Sequence, residues 1–488
     1  VLDAMEERDI ATVDIPGAFM QADMEGEALH MKLEGKMVHI LTKLDPRLYR
    51  KYIMNEKGRP VMYVELKKAL YGTLQAALLF WKNLTCTLQE WGFEINPYDW
   101  CVANKMINGK QLSVVWHVDD LKISHMDRSV VTHLIDQLSE RYGKEADLTI
   151  RRGKIHEYLG MTLDFTTKGK VGIDMRDYIK TIYEDLPSIY FGSAITPAAN
   201  YLFDTDDSCP KLTENEAQLF HSLVAKLLFL SKRGRADILT AISFLTTRVR
   251  APDTDDHKKL IRVLKYLDCT KDLVMTLGAD GSGTVKWWVD AAFAVHHDMK
   301  SHTGGTMSLG KGSIYSASTK QKINTKSSTE AELVGVDDMM PMIIWMRYFL
   351  QAQGYSVQDN ILYQDNESTI KLAKNGRGSS GKRTRHINIR YYFVTDRVNN
   401  EELEIRYCPT EMMLADFYTK PLQGKLFRLF RSLIMNLDDN DMQQFNYSEH
   451  AAHNSETNQM TNTADPGIPK SPQECVEEDG QAVHEDRP

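Results

Sequence analysis

Apolar and polar positions alternate in some stretches of the chain and recur at helical spacing in others. Leu112-Ser113-Val114-Val115-Trp116 and Leu121-Lys122-Ile123-Ser124 approach His117-Val118-Asp119-Asp120 from either side, which predicts two short strands joined by a tight turn. Further strands are expected to end in an acid at Asp14, Asp290 and Asp365. Ala28 to Leu33 reads as a return strand for the first of these, and Leu403 to Tyr407 as a last strand, followed by a helix bearing Asp416. Thr306 to Leu309 and Ser313 to Ser316 flank Gly310-Lys311-Gly312 as a hairpin. Helical spacing runs from Gln75 through Leu84, Leu88 and Trp91 to a stop at Gly92, and again over residues 128–142. It returns from Ala217 to Leu230 and from Ile238 to Val249, before the break at Pro252. From Asn436 onward there is no periodicity and few large apolar residues, so the tail is expected to be disordered.

A chain of 488 residues with 42% hydrophobic content holds several cores. The patterns divide it into residues 1–165, 166–283, 284–435 and an acidic tail, 436–488. The third block has its own strands, apolar pattern and acids, and is expected to fold alone. Six cysteines lie far apart with no Cys-x-x-Cys, which suggests reduced thiols rather than a disulfide frame or a zinc site. No apolar run reaches the ~20 residues of a membrane span, and no secretory pattern opens the chain. A soluble intracellular protein is expected.

The formal net charge of −8 changes meaning once the tail is separated. From Asn436 there are 12 Asp and Glu against Lys470 and Arg487, leaving 57 basic and 55 acidic residues in the rest. The folded part is slightly basic, so nucleic acid is not excluded as a partner.

The candidate chemistry is carboxylate chemistry. Asp119 and Asp120 at a hairpin tip repel each other unless a cation lies beside them, although an ordinary Asp-rich turn is the simpler alternative. Asp14, at the end of its own strand, can join them around a metal pair suited to in-line displacement at phosphorus. Asp290, Glu332, Asp365 and Asp416, on separate elements, suggest a second such centre. Ser327 with Glu330 has capping-box spacing, which favours Glu332 as the ligand, while Thr329 with Glu332 permits the opposite assignment. Residues 371–390 carry Lys371, Lys374, Arg377, Lys382, Arg383, Arg385 and Arg390 among glycines and no acid. That loop suits phosphate tracking, or is simply a solvated surface.

Val13-Asp14-Ile15-Pro16-Gly17-Ala18-Phe19, Leu70-Tyr71-Gly72-Thr73-Leu74-Gln75, His117-Val118-Asp119-Asp120 and Tyr158-Leu159-Gly160 occur in this order. They resemble the motifs of copia-like LTR-retrotransposon reverse transcriptases, with His117 where the family usually has tyrosine. His221 to Ala225 and Arg235 to Ile238 resemble that family's connector motifs. Ser327 to Leu333 and Leu414 to Pro421 resemble its ribonuclease H segment.

The resemblance implies an α+β multidomain fold. A reverse-transcriptase palm (an antiparallel sheet with helices) and truncated fingers would occupy 1–165, with a helical thumb or connection at 166–283. A ribonuclease H-like α/β domain with a mixed sheet would follow at 284–435. It implies RNA-directed DNA polymerase and ribonuclease H activities, each with two Mg²⁺ or Mn²⁺ ions. Asp14 and Asp119 would hold one pair with Asp120 in support; Asp290, Glu332, Asp365 and Asp416 would hold the other. Phe19 would exclude a 2′-hydroxyl, Gln75 would contact the nucleotide, and Tyr158, Leu159 and Gly160 would grip the primer. Lys382, Arg383 and Arg385 would follow the hybrid. The implied partners are an RNA template, a DNA primer, dNTPs, an RNA–DNA hybrid and other polyprotein segments such as integrase, with no membrane. The implied setting is the cytoplasm, in a virus-like particle, and the nucleus. A truncated or repurposed, non-catalytic hybrid-binding protein is the alternative.

Overall fold

The computed structural model describes residues 1–184, 186–376 and 388–437. Helix α1 (Leu2–Met5) leads into β1 (Asp9–Asp14). Then come β2 (His30–Glu34), α2 (Lys36–Leu44), α3 (Pro46–Tyr49), β3 (Met54–Glu56), β4 (Arg59–Glu65) and α4 (Ala76–Glu90). They are followed by β5 (Glu94–Asn96), β6 (Asp99–Ile107), β7 (Lys110–His117), β8 (Asp120–His125), α5 (Arg128–Tyr142) and β9 (Thr149–Gly153). Six of these strands form one antiparallel sheet in the order β5-β6-β7-β8-β1-β9. Val13, Val114, Trp116, Leu121 and Ile123 meet Leu79, Phe80, Leu84 and Leu88 of α4 and Val131, Leu134 and Leu138 of α5 in one buried cluster. The sheet's apolar positions and the two helical stripes find each other as the sequence pattern requires.

The stretch Ala28 to Leu33 does not return to this sheet. Its strand, β2, pairs with β4 in a separate three-stranded sheet, β2-β4-β3. No residue of β2 is fully buried, and Lys32 is held by Glu34 and Glu56, so its weak alternation builds a peripheral sheet.

Next in the chain are β10 (Ile155–Tyr158), β11 (Met161–Asp164), β12 (Lys170–Asp174), α6 (Arg176–Tyr183), α7 (Glu214–Ser231), α8 (Leu239–Thr246), α9 (Thr254–Cys269) and β13 (Met275–Ala279). Tyr158 to Leu163 is a hairpin rather than one strand, because Leu159 and Gly160 both take positive φ (51° and 75°) and turn the chain between β10 and β11. Helix α9 has no counterpart in the patterns above. Its signals are the Asp253/Asp256 capping box after Pro252 and buried Leu260, Val263, Leu264 and Leu267.

The remainder is β14 (Thr284–Ala292), β15 (His302–Ser308), β16 (Gly310–Lys311), β17 (Tyr315–Lys320), α10 (Ser328–Ala352), β18 (Asp359–Gln364), α11 (Glu367–Asn375), α12 (Asn388–Asn399), β19 (Glu404–Tyr407) and α13 (Gly424–Met435). A mixed sheet runs β17-β15-β14-β18-β19, with β14, β18 and β19 parallel and β15 and β17 closing the expected hairpin. Asp416, expected on a helix, lies in the 3₁₀ turn Leu414–Tyr418.

The expected block boundaries at 165 and 283 are not seams. A second five-stranded sheet, β10-β11-β12-β13-β16, draws strands from all three blocks. One hydrophobic cluster contains Tyr158, Ile173, Leu227, Ile242, Leu264, Phe417 and Phe430. The third block therefore does not close on itself. Helix α10 adds a further tie: Trp345 Nε1 donates to the Tyr98 carbonyl at 2.8 Å, and Tyr348 stacks on Tyr98. Just past its end, Tyr355 takes a hydrogen bond from Arg8 at 3.1 Å and donates to Glu6 at 2.7 Å. Among the described residues no helix is long and apolar enough to cross a membrane.

Candidate active sites

The first site hangs on the β7–β8 hairpin. Residues His117 and Asp120 pair to close a two-residue turn, and Val118 is forced to φ +58°, a left-handed conformation that costs a β-branched residue about 1–3 kcal/mol. The backbone holds it there: Ile15 N–H donates to the Asp119 carbonyl at 3.2 Å, and Asp14 faces Asp120 across β1 and β8. Asp14 and Asp120 line a cleft of about 540 Å³ together with Tyr158, Leu159, Gly160, Arg151 and Tyr178. Asp119 accepts a hydrogen bond from the Tyr71 hydroxyl at 3.1 Å, and the Tyr71 ring lies 4.2 Å from that of buried Phe19. Gln75 is exposed at the start of α4.

Burial raises the Asp14 carboxyl above the usual range, and Asp119 and Asp120 raise it further. Asp120 is raised by burial and by Asp119, against a small opposing pull from His117. None of the three forms an ion pair among the described residues, so this is a half-buried negative cluster without a counter-ion of its own.

The second site is deeper. Among the described residues, Asp290, Glu332 and Asp365 are the one set of acids whose ligand oxygens all lie within 4.8 Å of one another. Asp290 sits near the end of β14, opposite Gly304 of β15; Glu332 lies in the first turns of α10; Asp365 directly follows β18. Ser327 caps α10, accepting from Glu330 N–H at 3.3 Å, while the Glu330 carboxylate accepts from Lys326 N–H at 2.8 Å. Of the two glutamates left open by the sequence, Glu332 is the one beside Asp290 and Asp365. Gln364 Nε2 donates to Glu332 at 3.2 Å and Thr410 to Asp365 at 3.1 Å.

Asp416 stands beside the trio rather than within it. Lys420 Nζ donates to Asp416 at 2.7 Å and lies 3.6 Å from Asp290, which also accepts from the Thr419 hydroxyl. The 3₁₀ turn reaches this position because residue 304 is glycine. A Cβ there would meet Thr419 Cγ2 at 2.6 Å and the Ala415 carbonyl oxygen at 2.8 Å.

Burial pushes Glu332 well above its ordinary value, with Asp290 and Asp365 adding to it. Burial and Asp290 bring Asp416 up to about 7 against the pull of Lys420, and burial and Asp290 also raise Asp365. A buried all-oxygen donor set whose members repel one another fits a hard divalent cation.

Sequence reasoning assigned no role to Tyr71, Gln364, Thr410, Thr419 or Lys420. Lys420 carries a signal after the fact, since it lies four residues beyond Asp416. In the expected basic loop, Lys371 lies on α11 paired with Glu367, and Arg390 lies on α12 paired with Asp337 and Asp338. Lys382, Arg383 and Arg385 lie outside the described residues, as does almost all of the tail.

Residues 1–198 match the family model described as reverse transcriptase (RNA-dependent DNA polymerase). The chain is 26% identical over 434 residues to the retrovirus-related Pol polyprotein from transposon TNT 1-94 of Nicotiana tabacum, covering 87% of this chain and 31% of that one. It is 28% identical over 379 residues to the Pol polyprotein from transposon RE2 of Arabidopsis thaliana, covering 77% and 25%. It is 26% identical over 285 residues to the putative transposon Ty5-1 protein of Saccharomyces cerevisiae, covering 58% and 89%. Resemblance to copia-type retrotransposon Pol polyproteins thus runs across most of the chain, and the match to the reverse transcriptase family model covers its first 198 residues. The chain spans less than a third of the two plant polyproteins. A crystal structure of prototype foamy virus protease–reverse transcriptase aligns at 14% identity over 86% of this chain and 45% of that one, with a TM-score of 0.22.

Proposed function

We propose that the chain is an RNA-directed DNA polymerase with ribonuclease H activity, one phosphoryl-transfer centre at the β7–β8 hairpin and one at Asp290. The observation that carries this reading is the convergence of Asp290, Glu332 and Asp365, from three separate elements, in the chain whose first residues match a reverse transcriptase. Asp14 and Asp119 would hold one pair of Mg²⁺ or Mn²⁺ ions, with Asp120 in support, and Asp290, Glu332, Asp365 and Asp416 the other. Such ions supply charge neutralisation at the attacking and leaving oxygens of an in-line displacement.

The chain's own residues do the rest. Tyr71 orients the Asp119 carboxylate and covers Phe19, whose ring would bound the space at a sugar's 2′-position. Tyr158, Leu159 and Gly160 form the cleft wall on which a primer end would rest, and Gln75 is exposed where an incoming dNTP would pass. In the second centre, Gln364 and Thr410 hold Glu332 and Asp365 in place. The substrates would be an RNA template with a DNA primer, then the RNA–DNA hybrid they form.

The test is a paired assay on the full chain: Mg²⁺-dependent primer extension on RNA, and cleavage of the RNA strand of a hybrid with duplex DNA as control. Both activities are expected, extension lost in Asp119→Asn and cleavage lost in Asp365→Asn. Hybrid binding without cleavage, across a range of metals and with all acids intact, would favour a repurposed binder instead.

A further inference from the structure

The four acids of the second centre are not equivalent. Asp290, Glu332 and Asp365 bring their ligand oxygens within 4.8 Å of one another, whereas the space between Asp416 and Asp290 holds the Lys420 ammonium, 2.7 Å from the first and 3.6 Å from the second. The Asp290 and Asp416 side chains are 3% and 6% exposed, and Asp290 is further pinned by Thr419. Lys420 is 41% exposed on a flexible four-carbon stem, so it is the member of this group that can move.

We propose that Lys420 is a resident counter-ion for the second cation position, so that this position becomes available only when the lysine withdraws from Asp290 and Asp416. A cation bound to Asp290, Glu332 and Asp365 leaves Lys420 where it is. A second cation between Asp290 and Asp416 needs oxygens at about 2.0–2.1 Å for Mg²⁺, which an ammonium already bonded to one of them forbids. The withdrawn ammonium needs a new anionic partner. A backbone phosphate of the bound hybrid has the right charge and would lie at the mouth of the same site. Lys420 thereby couples completion of the metal pair to arrival of the substrate, and keeps the buried acids neutralised until then. This rests on the reading of the second centre as a two-cation nuclease site.

The test is calorimetric titration of the full chain with Mn²⁺, with Asp14→Asn and Asp119→Asn introduced to silence the hairpin centre. With Lys420 intact, one cation is expected to bind without hybrid and a second only when a non-cleavable hybrid is present. In Lys420→Gln the second is expected without hybrid, about tenfold or more tighter, because a positive charge a few Å away has been removed. Lys420→Arg keeps the charge and is expected to behave as the parent. Thermal melting without metal is expected to fall for Lys420→Gln and recover with Mn²⁺. Equal stoichiometry and affinity in the parent and Lys420→Gln overturn the proposal. Failure of the two-cation reading looks different: no protein would take up a cation that Asp365→Asn abolishes.

Discussion

The two acidic centres use the same donor chemistry in opposite surroundings. The hairpin centre places Asp119 and Asp120 at a strained turn and Asp14 opposite on β1, all half-buried, with no ion pair among the described residues. The second centre places Asp290, Glu332 and Asp416 within a packed sheet-and-helix layer, each less than a tenth exposed, and supplies Lys420 as a cation. Solvent moderates repulsion at the first; at the second it must be met by protons, by Lys420 or by metal. An open centre tolerates a missing cation, and a buried one stores its need for it. That difference should be measurable.

Its largest expression is separability. Asp119→Asn is expected to abolish primer extension and leave hybrid cleavage within a few-fold, and Asp365→Asn the reverse. Each loss should exceed the roughly 10–100-fold that removing a mere supporting contact costs a metal site. Loss of both activities in either variant would mean that the centres are not independent.

Gly304→Ala comes next. The added Cβ has no room against Thr419 and the Ala415 carbonyl. It should destabilise the protein by about 1–3 kcal/mol, seen as a lower denaturant midpoint, and reduce cleavage far more than extension. An equal fall in both would place the damage in the shared core.

Proton linkage sharpens the contrast. With Asp416 raised to about 7 and Glu332 well above its usual range, the second centre holds protons near neutral pH that a bound cation must release. Cation affinity there is expected to rise between pH 6 and 8. The sign follows because the free state binds more protons than the loaded one in that window. Titration in buffers of differing ionisation enthalpy should reveal proton release for the second centre and less for the hairpin. Without metal, the same raised values mean that protonated acids stabilise the fold: stability is fullest below the unfolded carboxylate range and declines as pH rises through about 7 for Asp416.

The smallest effect belongs to Tyr71→Phe. It removes one partly exposed hydrogen bond to Asp119 and keeps the ring on Phe19. Extension should weaken only a few-fold, on the scale of about 1 kcal/mol for one such bond, with cleavage unchanged.

The strands carrying Asp14, Asp290 and Asp365, the hairpin at Asp119 and the helix over 128–142 were legible because their cores demand strong alternation or helical spacing. Glu332 was legible through the helix start, since Ser327 caps the Glu330 N–H and the Glu330 carboxylate is taken up by the Lys326 N–H. What sequence could not supply was long-range pairing. Strand β16 has two residues, too few for any periodicity, yet it joins distant blocks. The turn at Leu159-Gly160 was hidden because leucine seldom takes positive φ. Lys420 had no role in the sequence reading and became visible only when the fold brought Asp290 to it.

The sheet β10-β11-β12-β13-β16 also bears on how such a coding sequence can decay. A stop codon between β13 and β16 would do more than delete the second acidic centre. It would leave β13 with an open edge and uncover the faces of α8 and α9 that pack on the C-terminal segments, the kind of surface that aggregates. A chain interrupted there should therefore yield insoluble product rather than a soluble hairpin centre without the second one. Loss through point changes at the acids is the milder route, since either centre can fall silent while the scaffold stays whole.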